Sequence, residues 1–337
     1  MRYIIIGAGA VGGTIGGRLA ENGHDVVLVA RGAHLEALRR DGLRLISPHG
    51  AATVAVTAAG GPEELDLRED DVLVLAVKTQ DTAAMLQEWA PRPVAGGGAA
   101  ADALPLVCAQ NAVENERIAL RLFRRVYGMC VWLPALHLEP GTVVSHGAPL
   151  SGMLTLGRYP RGADETAERI AADLRGSMFA APVDQNVMRW KYAKLLGNLG
   201  NAHQAICGPV PGSQPLMERL LAEGRAVLDA AGIAYTPPEE ERRTRGDQVN
   251  ETAVDGVDRP GGSSWQSLAK GSGSIEADYL NGEIVLLGRL HGVPTPANET
   301  VRRVAGEFAR EHRPPGSMTI SALLKLVEEE AAAPPPM

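Results

Sequence analysis

The first 80 residues alternate between short, continuous apolar runs and stretches of helical character. Tyr3-Ile4-Ile5-Ile6 is a β-branched run that stops at Gly7. Residues 11–22 then suit a helix with small residues on one side, and Gly23 ends it. Apolar runs return at 25–30, 71–77 and 104–109. A strand buried on both faces loses the alternation of apolar and polar positions. Continuous apolar runs separated by helices therefore predict a parallel sheet covered on both sides, a doubly wound α/β domain. Glycines at 141, 147 and 157 punctuate short apolar runs between 129 and 157, which predicts extra strands near a sheet edge.

Past residue 183 the pattern turns helical. Asp184 is placed to cap a long helix running to about residue 206, and further helices are expected over 216–231, 276–291 and 296–312. Three stretches read as irregular. Residues 92–103 are a low-complexity loop, the charged and Gly/Pro-bearing residues 237–262 a mobile connection, and residues 328–337 a flexible tail. The expected division is 1–183 for the α/β domain, 184–327 for a mainly α-helical domain, and 328–337 for the tail. A chain of 337 residues exceeds what one core comfortably serves, so two cores agree with this division.

Composition narrows the function classes. With 45% hydrophobic and 22% charged residues the chain is globular rather than disordered. Its apolar runs are too short to span a bilayer, and the glycine-rich start does not read as a signal peptide, so a soluble, unexported, cytoplasmic protein is expected. Thirty-three basic against 40 acidic residues, a net charge of −7, argues against nucleic acid or an acidic membrane as partner. Cys108, Cys130 and Cys207 show neither zinc nor redox spacing, and read as buried, inert thiols in a reducing compartment. His137, His146, His203 and His291 lack metal spacing as well, and no metal is expected.

Gly7-Ala8-Gly9-Ala10-Val11-Gly12 fits G-x-G-x-x-G between a strand and a helix, the context in which that motif binds a dinucleotide and which marks a Rossmann-type domain. Gly7 allows the tight turn, Gly9 the close approach of a pyrophosphate, and Gly12 the packing of helix on strand. After the second strand comes Arg31, where an acid would select NAD. A guanidinium there suits a 2′-phosphate, so NADPH/NADP is the expected cofactor, against the plainer reading of a solvated arginine. Lys78 and Asn111 follow two further apolar runs, at the strand ends where such sheets hold ligands. A surface lysine and a turn-forming asparagine are the plainer alternatives.

In the helical half, Lys194, Asn198 and Asn201 fall within about 60° of one another on a continuous helix, away from Leu195, Leu196 and Leu199. Periodicity alone does not choose between a polar cleft lining and a solvated stripe. Ser274 is placed to cap a helix carrying Glu276 in its first turn, which by itself accounts for that acid.

Taken in order, the motifs resemble the ketopantoate reductase (2-dehydropantoate 2-reductase) family. They are GAGAVG, AVKT with Lys78, QNAVENE with Asn111, KLLGN with Lys194, and SS…IEADYLNG…HGVPTPANE, spanning about residues 4–300. The resemblance implies Lys194 and Glu276 as the catalytic pair, with Asn111, Asn198, Asn201 and Ser264 toward the substrate. It implies Lys78 and Asn111 in the cofactor cleft, beside the loop of Gly7, Ala8, Gly9, Ala10, Val11 and Gly12 and beside Arg31. The implied activity is NADPH-dependent reduction of a small 2-keto acid, first of all ketopantoate to pantoate in pantothenate and coenzyme A biosynthesis. Lys194 would stabilise and protonate the carbonyl oxygen. An ordinary lysine titrates near pKa 10.4, so burial would have to lower it, and pairing with Glu276 would oppose that. Ala112 and Glu114 stand where the family pattern has glycines, and Ala202 where it has a second asparagine. A reductase of another ketone, 2-keto acid or imine, and a catalytically silent NADP(H)-binding sensor, both stay open. A helical domain that binds substrate could also carry a homodimer interface, though no sequence feature proves one.

Overall fold

The computed structural model describes residues 1–254, 256–257 and 261–332, and the chain forms two compact units. The first comprises Met1–Lys191 and returns with Thr236–Asp258; the second comprises Tyr192–Tyr235 and the chain from residue 259 onward.

In the first unit, β1 (Arg2–Ile6), α1 (Ala10–Glu21), β2 (Asp25–Val29) and α2 (Gly32–Asp41) come first. A hairpin follows, made of β3 (Leu43–Ser47) and β4 (Gly50–Val54), then the short β5 (Thr57–Ala59) and the central β6 (Asp71–Leu75). Next are α3 (Thr82–Trp89), α4 (Ala100–Ala103), β7 (Leu106–Cys108), α5 (Asn115–Leu120) and β8 (Val126–Trp132). Three short strands, β9 (Ala135–Leu136), β10 (Thr142–Ser145) and β11 (Gly147–Pro149), precede β12 (Gly152–Arg158), α6 (Glu165–Arg175) and β13 (Phe179–Ala180).

The main sheet runs β13-β12-β8-β7-β6-β1-β2-β5, parallel from β8 to β5, with β12 antiparallel to β8. Its strands serve two cores. Tyr3 and Ile5, Val26 and Leu28, and Val72 and Val74 pack on one face with Ile15 and Leu19 of α1 and Ile170 and Leu174 of α6. Ile4 and Ile6, Val27 and Val29, and Leu73 and Leu75 pack on the other with Met85, Leu86 and Trp89 of α3. That division is why these strands read as unbroken apolar runs. The extra strands around residue 140 divide between sheets: β8 and β12 join the main sheet, while β9 and β10 join the hairpin as β4-β3-β10-β9.

The start of α1 is set by close approach. Gly7 has φ +101°, and a Cβ on Gly12 would lie 2.1 Å from the Gly7 carbonyl oxygen and 2.9 Å from Ala76 Cβ. Gly16 and Gly17 face Leu28 and Leu43 in the same manner. Helix and sheet can pack this closely only where no side chain intervenes.

The helix expected over 184–206 is two. α7 (Val187–Asn198) ends at Leu199, and α8 (Gly200–Cys207) begins at once. The Leu199 carbonyl accepts a hydrogen bond from Asn281 Nδ2 at 3.0 Å, so the interruption leaves that group paired. Asp184 accepts from the Asn186 N–H and from Trp190 Nε1 rather than capping a first turn at residue 185.

The remaining elements are α9 (Gln214–Ala230), α10 (Pro238–Arg245), β14 (Val249–Glu251), α11 (Ser263–Ala269), α12 (Asn281–His291), α13 (Pro296–Arg310) and α14 (Ile320–Ala332). In the second unit α13 is the hub, packing on α8, α9, α12 and α14 through Val301, Val304, Ala305 and Phe308. Glu223 of α9 accepts from the Ala297 and Asn298 N–H groups and so supplies the start of α13 with acceptors.

Three expectations for irregular chain are corrected. Residues 237–262 carry α10 and β14, which pairs with β11 and so belongs with the first unit; residues 255 and 258–260 lie outside the described set. Residues 328–332 complete α14, and 333–337 lie outside the described residues. Residues 100–103 form the short helix α4. The first unit extends past the expected boundary at 183 to Lys191, partway along α7.

The packing of α1 yields a stability prediction. Gly12→Ala drives a methyl group onto a backbone carbonyl and is expected to cost about 3 kcal/mol, the upper part of the usual range for overpacking. A urea unfolding midpoint equal to that of the wild-type chain would contradict it.

Candidate active site

The candidate residues fall in two groups, one in each unit. In the first unit all of them stand at carboxyl ends of strands. Gly7–Gly12 follows β1, Arg31 follows β2, Lys78 follows β6 and Asn111 follows β7. The strand order reverses between β1 and β6, since the chain proceeds outward to β2 on one side and to β7 on the other. This is the switch point at which open α/β sheets bind ligands.

The glycine-rich loop opens α1 at Ala10 with Gly9 as N-cap and no side chain accepting from the first turn. Its N–H groups and the positive end of the helix dipole suit an anion. Gly9 adopts φ −73°, which any residue can take, and a Cβ there would meet no atom within 4 Å. The fold does not need a glycine at this position. The open space before it fits a bound pyrophosphate, whereas the space around Gly12 is filled by the protein itself.

His34 of α2 fixes the loop from behind. The Gly141 N–H donates to His34 Nδ1 at 2.8 Å, so Nδ1 is unprotonated, and Nε2–H donates to the Ala8 carbonyl at 2.8 Å. The ring also lies against His137, with centroids 4.3 Å apart. Sequence reasoning passed over His34, whose partners are 26 and 107 residues away. Arg31 is the N-cap residue of α2, and its side chain is 73% exposed, 4.0 Å from Glu88 Oε2 and 3.4 Å from Met85 Sδ. An exposed pair at that distance is weak and leaves the guanidinium available to a phosphate.

Lys78 and Asn111 are half-buried on adjacent strand ends. Behind them lies a buried polar circuit. Gln110 Nε2 donates to the Val77 carbonyl at 2.9 Å and to Thr82 Oγ1 at 2.8 Å. Thr82 Oγ1 donates to Asn115 Oδ1 at 2.7 Å, and Asn115 Nδ2 donates to the Asn111 carbonyl at 2.9 Å and to Thr79 Oγ1 at 3.3 Å. Ala112, in the slot where glycine was expected, has φ +64°. The turn therefore keeps the left-handed backbone a glycine would take, with an alanine in it. Farther along, Lys191 Nζ donates to Glu116 Oε1, with the two side chains 2% and 0% exposed. Burial pushes the Glu116 carboxyl up and Lys191 opposes it. Burial likewise raises the Cys108 thiol well above its usual range and Cys207 to about 11; all three cysteines are buried, as the sequence led one to expect.

In the second unit Lys194 and Asn198 lie one turn apart on α7, Lys194 half-buried and Asn198 buried. Asn201 lies beyond the break, on α8, so the shared face expected of a continuous helix stops at Asn198. Asn201 instead lies near the start of α11, where a Cβ on Gly262 would be 3.7 Å from its Oδ1. Ser264, in the first turn of α11, is 2% exposed, and its Oγ has no hydrogen-bond partner among the described residues. Glu276 is buried and opens a 3-10 turn, Glu276–Asp278, capped by Ile275 without a side-chain bond. The N-cap position of this turn falls on Ile275 rather than on Ser274. Ala202 is fully buried.

Among the described residues no group of three or more His, Cys, Asp or Glu is placed to hold a metal ion, and no helix is long and apolar enough to cross a membrane.

Comparison with known proteins finds relatives over most of the chain. The family model described as ketopantoate reductase PanE/ApbA matches residues 3–161, and its C-terminal counterpart matches residues 186–308. A 2-dehydropantoate 2-reductase of Archaeoglobus fulgidus is 30% identical over 308 residues, covering 89% of this chain and 95% of the relative. The crystal structure of a PanE/ApbA family ketopantoate reductase from Ralstonia eutropha JMP134 superposes with a TM-score of 0.76 at 28% identity, covering 93% of this chain and all of that one. A ternary structure of D-mandelate dehydrogenase with NADH and anilino(oxo)acetate also has a TM-score of 0.76, at 21% identity over 93% of this chain and 99% of the other, a likeness of fold. With both halves matched in order, the chain belongs to the ketopantoate reductase PanE/ApbA family, oxidoreductases that act on a CH–OH or C=O group.

Proposed function

We propose that this protein reduces a small 2-keto acid with NADPH, with ketopantoate as the first substrate to try. The observation that carries the cofactor part is the paired character of the strand ends. An uncapped helix N-terminus faces open space at Gly9, and an exposed guanidinium at Arg31 follows the neighbouring strand. The substrate part rests on the retained Lys194 and Glu276 and on the name of the Archaeoglobus relative.

In this reading Gly7–Gly12 holds the pyrophosphate, Arg31 the 2′-phosphate, and Lys78 and Asn111 the nicotinamide side of the cleft. When bound, the cofactor supplies a hydride to the carbonyl carbon. The chain's own residues answer the negative charge that develops on the carbonyl oxygen. Lys194 directs its ammonium at that oxygen and gives it a proton, stabilising charge that exists only as the reaction proceeds. Glu276 orients that ammonium or a substrate hydroxyl. Ser264 offers its buried hydroxyl to the substrate carboxylate, and an Oγ without a partner among the described residues is one that a ligand can satisfy. Asn198 and Asn201 serve the remaining polar atoms. A 2-keto acid other than ketopantoate is favoured by one feature, Ala202, which offers no polar group where the family pattern has an asparagine. A panel of 2-keto acids, ketones and imines, followed by nicotinamide absorbance, decides between them. NADPH binding with no turnover of any member would favour the silent sensor.

Three outcomes are expected. Arg31→Ala weakens NADPH roughly ten- to hundredfold, the worth of a charge-assisted contact, while sparing NADH. Titrations in which both cofactors weaken alike would remove Arg31 from the phosphate site. Gly9→Ala places its methyl in open space, so thermal unfolding should stay within about 2 °C of wild type while NADPH affinity drops at least roughly tenfold. Undiminished NADPH affinity in that variant would contradict a pyrophosphate against Gly9. Lys194→Ala lowers turnover by about 10²–10⁴ with NADPH affinity unchanged, and near-normal turnover would take Lys194 out of the chemistry.

A further inference from the structure

We infer that Gln110, Thr82 and Asn115 are positioning residues that hold Lys78 and Asn111 at a fixed separation, and so set the grip on the substrate. The inference rests on the reading that Lys78 and Asn111 serve the site.

The circuit has one consistent arrangement of hydrogens. The Val77 and Asn111 carbonyls can only accept, which orients the Gln110 and Asn115 amides with their NH₂ groups toward them. Gln110 then presents its second N–H to Thr82 Oγ1, so that hydroxyl must turn its own hydrogen to Asn115 Oδ1. Asn115 spends its second N–H on Thr79 Oγ1. Both N–H groups of each amide are used, and a reversed amide would set oxygen against oxygen. Gln110, Thr82, Asn115 and Thr79 are all buried, at 4%, 0%, 0% and 1% exposure, where water does not compete for these bonds.

The residues clamped are informative. Val77 and Thr79 flank Lys78 on both sides, and the Asn111 carbonyl is held directly, just before the left-handed turn at Ala112. Left-handed backbone is unfavourable for alanine and persists where its surroundings determine it. The turn packs Ala112 and Val113 at 4% exposure beside the Asn115 bonds, which supplies that determination. Two separate loops, after β6 and after β7, are thereby joined through Thr82 of α3. None of the three positioning residues needs to touch substrate. The precision of Lys78 and Asn111 depends on them.

The test uses the full-length enzyme with ketopantoate, or whichever 2-keto acid turns over, as probe. Active sites are counted by NADPH binding. Thr82→Val keeps the shape of the side chain and removes the hydroxyl; it should raise KM for the keto acid and lower kcat/KM roughly tenfold or more, as expected when reacting groups shift by a fraction of an ångström. The preference for NADPH over NADH, set at the other end of the site, should not move. Thr82→Ser restores the hydroxyl and should recover most of the loss. Gln110→Met, which removes the donors at similar length, should repeat the Thr82→Val result and covers the case in which that variant folds poorly. A chain that is merely destabilised loses active sites in proportion but keeps its KM. Wild-type KM and kcat in Thr82→Val or Gln110→Met overturn the inference, as does a Thr82→Ser defect equal to that of Thr82→Val. Lys78→Ala and Asn111→Ala are the controls. If neither changes KM or kcat, the site reading fails and the inference with it. If they do while Thr82→Val is normal, only the positioning role fails.

Discussion

The close approach of α1 to the main sheet is the constraint on which the first unit depends. A Cβ at Gly12, Gly16 or Gly17 would lie between 2.1 and 2.7 Å from the nearest atom of the loop, the strands or the hairpin. With hydrogen alone on those faces, the helix settles against β1 and β2 and carries its positive end to the switch point of the sheet. The two cores follow from the same geometry. Ile15 and Leu19 leave α1 toward the face lined by Tyr3, Ile5, Val26 and Leu28, and the opposite face is left for α3. The proposed anion site and a hydrophobic core are thus two consequences of one packing distance.

Polar interactions then fix what packing leaves loose. Apolar contacts are non-directional and cannot specify how a loop leaves a strand. At the ends of β1, β6 and β7 hydrogen bonds take over. His34 holds the Ala8 carbonyl, Gln110 the Val77 carbonyl and Asn115 the Asn111 carbonyl. His34 and Asn115 donate from α2 and α5 and Gln110 from the loop after β7, and each acceptor belongs to a loop proposed to bind ligands. The second unit uses the same device at Leu199, whose carbonyl is taken by Asn281, itself donating to Asn298 Oδ1.

How much of this was legible in the sequence follows the range of the interactions. The strands Arg2–Ile6, Asp25–Val29, Asp71–Leu75 and Leu106–Cys108 were readable because burial on both faces is written in consecutive residues. The glycine motif was readable because loop, turn and helix are contiguous. The break after Asn198 was not, since the group that satisfies the freed carbonyl lies 82 residues later. The role of residues 237–262 was hidden for a similar reason: β14 exists by pairing with β11, about a hundred positions earlier, and of its own three residues only Val249 is apolar. Of the candidate site, the motifs named the residues proposed to face ligands. The residues behind them, His34, Thr82 and Asn115, are single polar positions whose meaning appears only when partners on other strands and loops are in place.

The buried pair of Glu116 and Lys191 shows how such hidden partners constrain chemistry along a helix. Removing either partner alone would leave an uncompensated charge in the core, a cost of about 3–5 kcal/mol, yet a pair of well-packed apolar residues in the same place is often no less stable. What an ion pair supplies that an apolar pair does not is direction. Lys191 has to face Glu116, and Trp190, one position earlier, has to place its Nε1 against Asp184 Oδ2. Two adjacent side chains with fixed destinations leave α7 no freedom to rotate about its axis. Lys194 is three residues farther on the same helix, about 60° around from Lys191. The start of α7 therefore takes its direction from a glutamate and an aspartate that have no part in the proposed proton transfer.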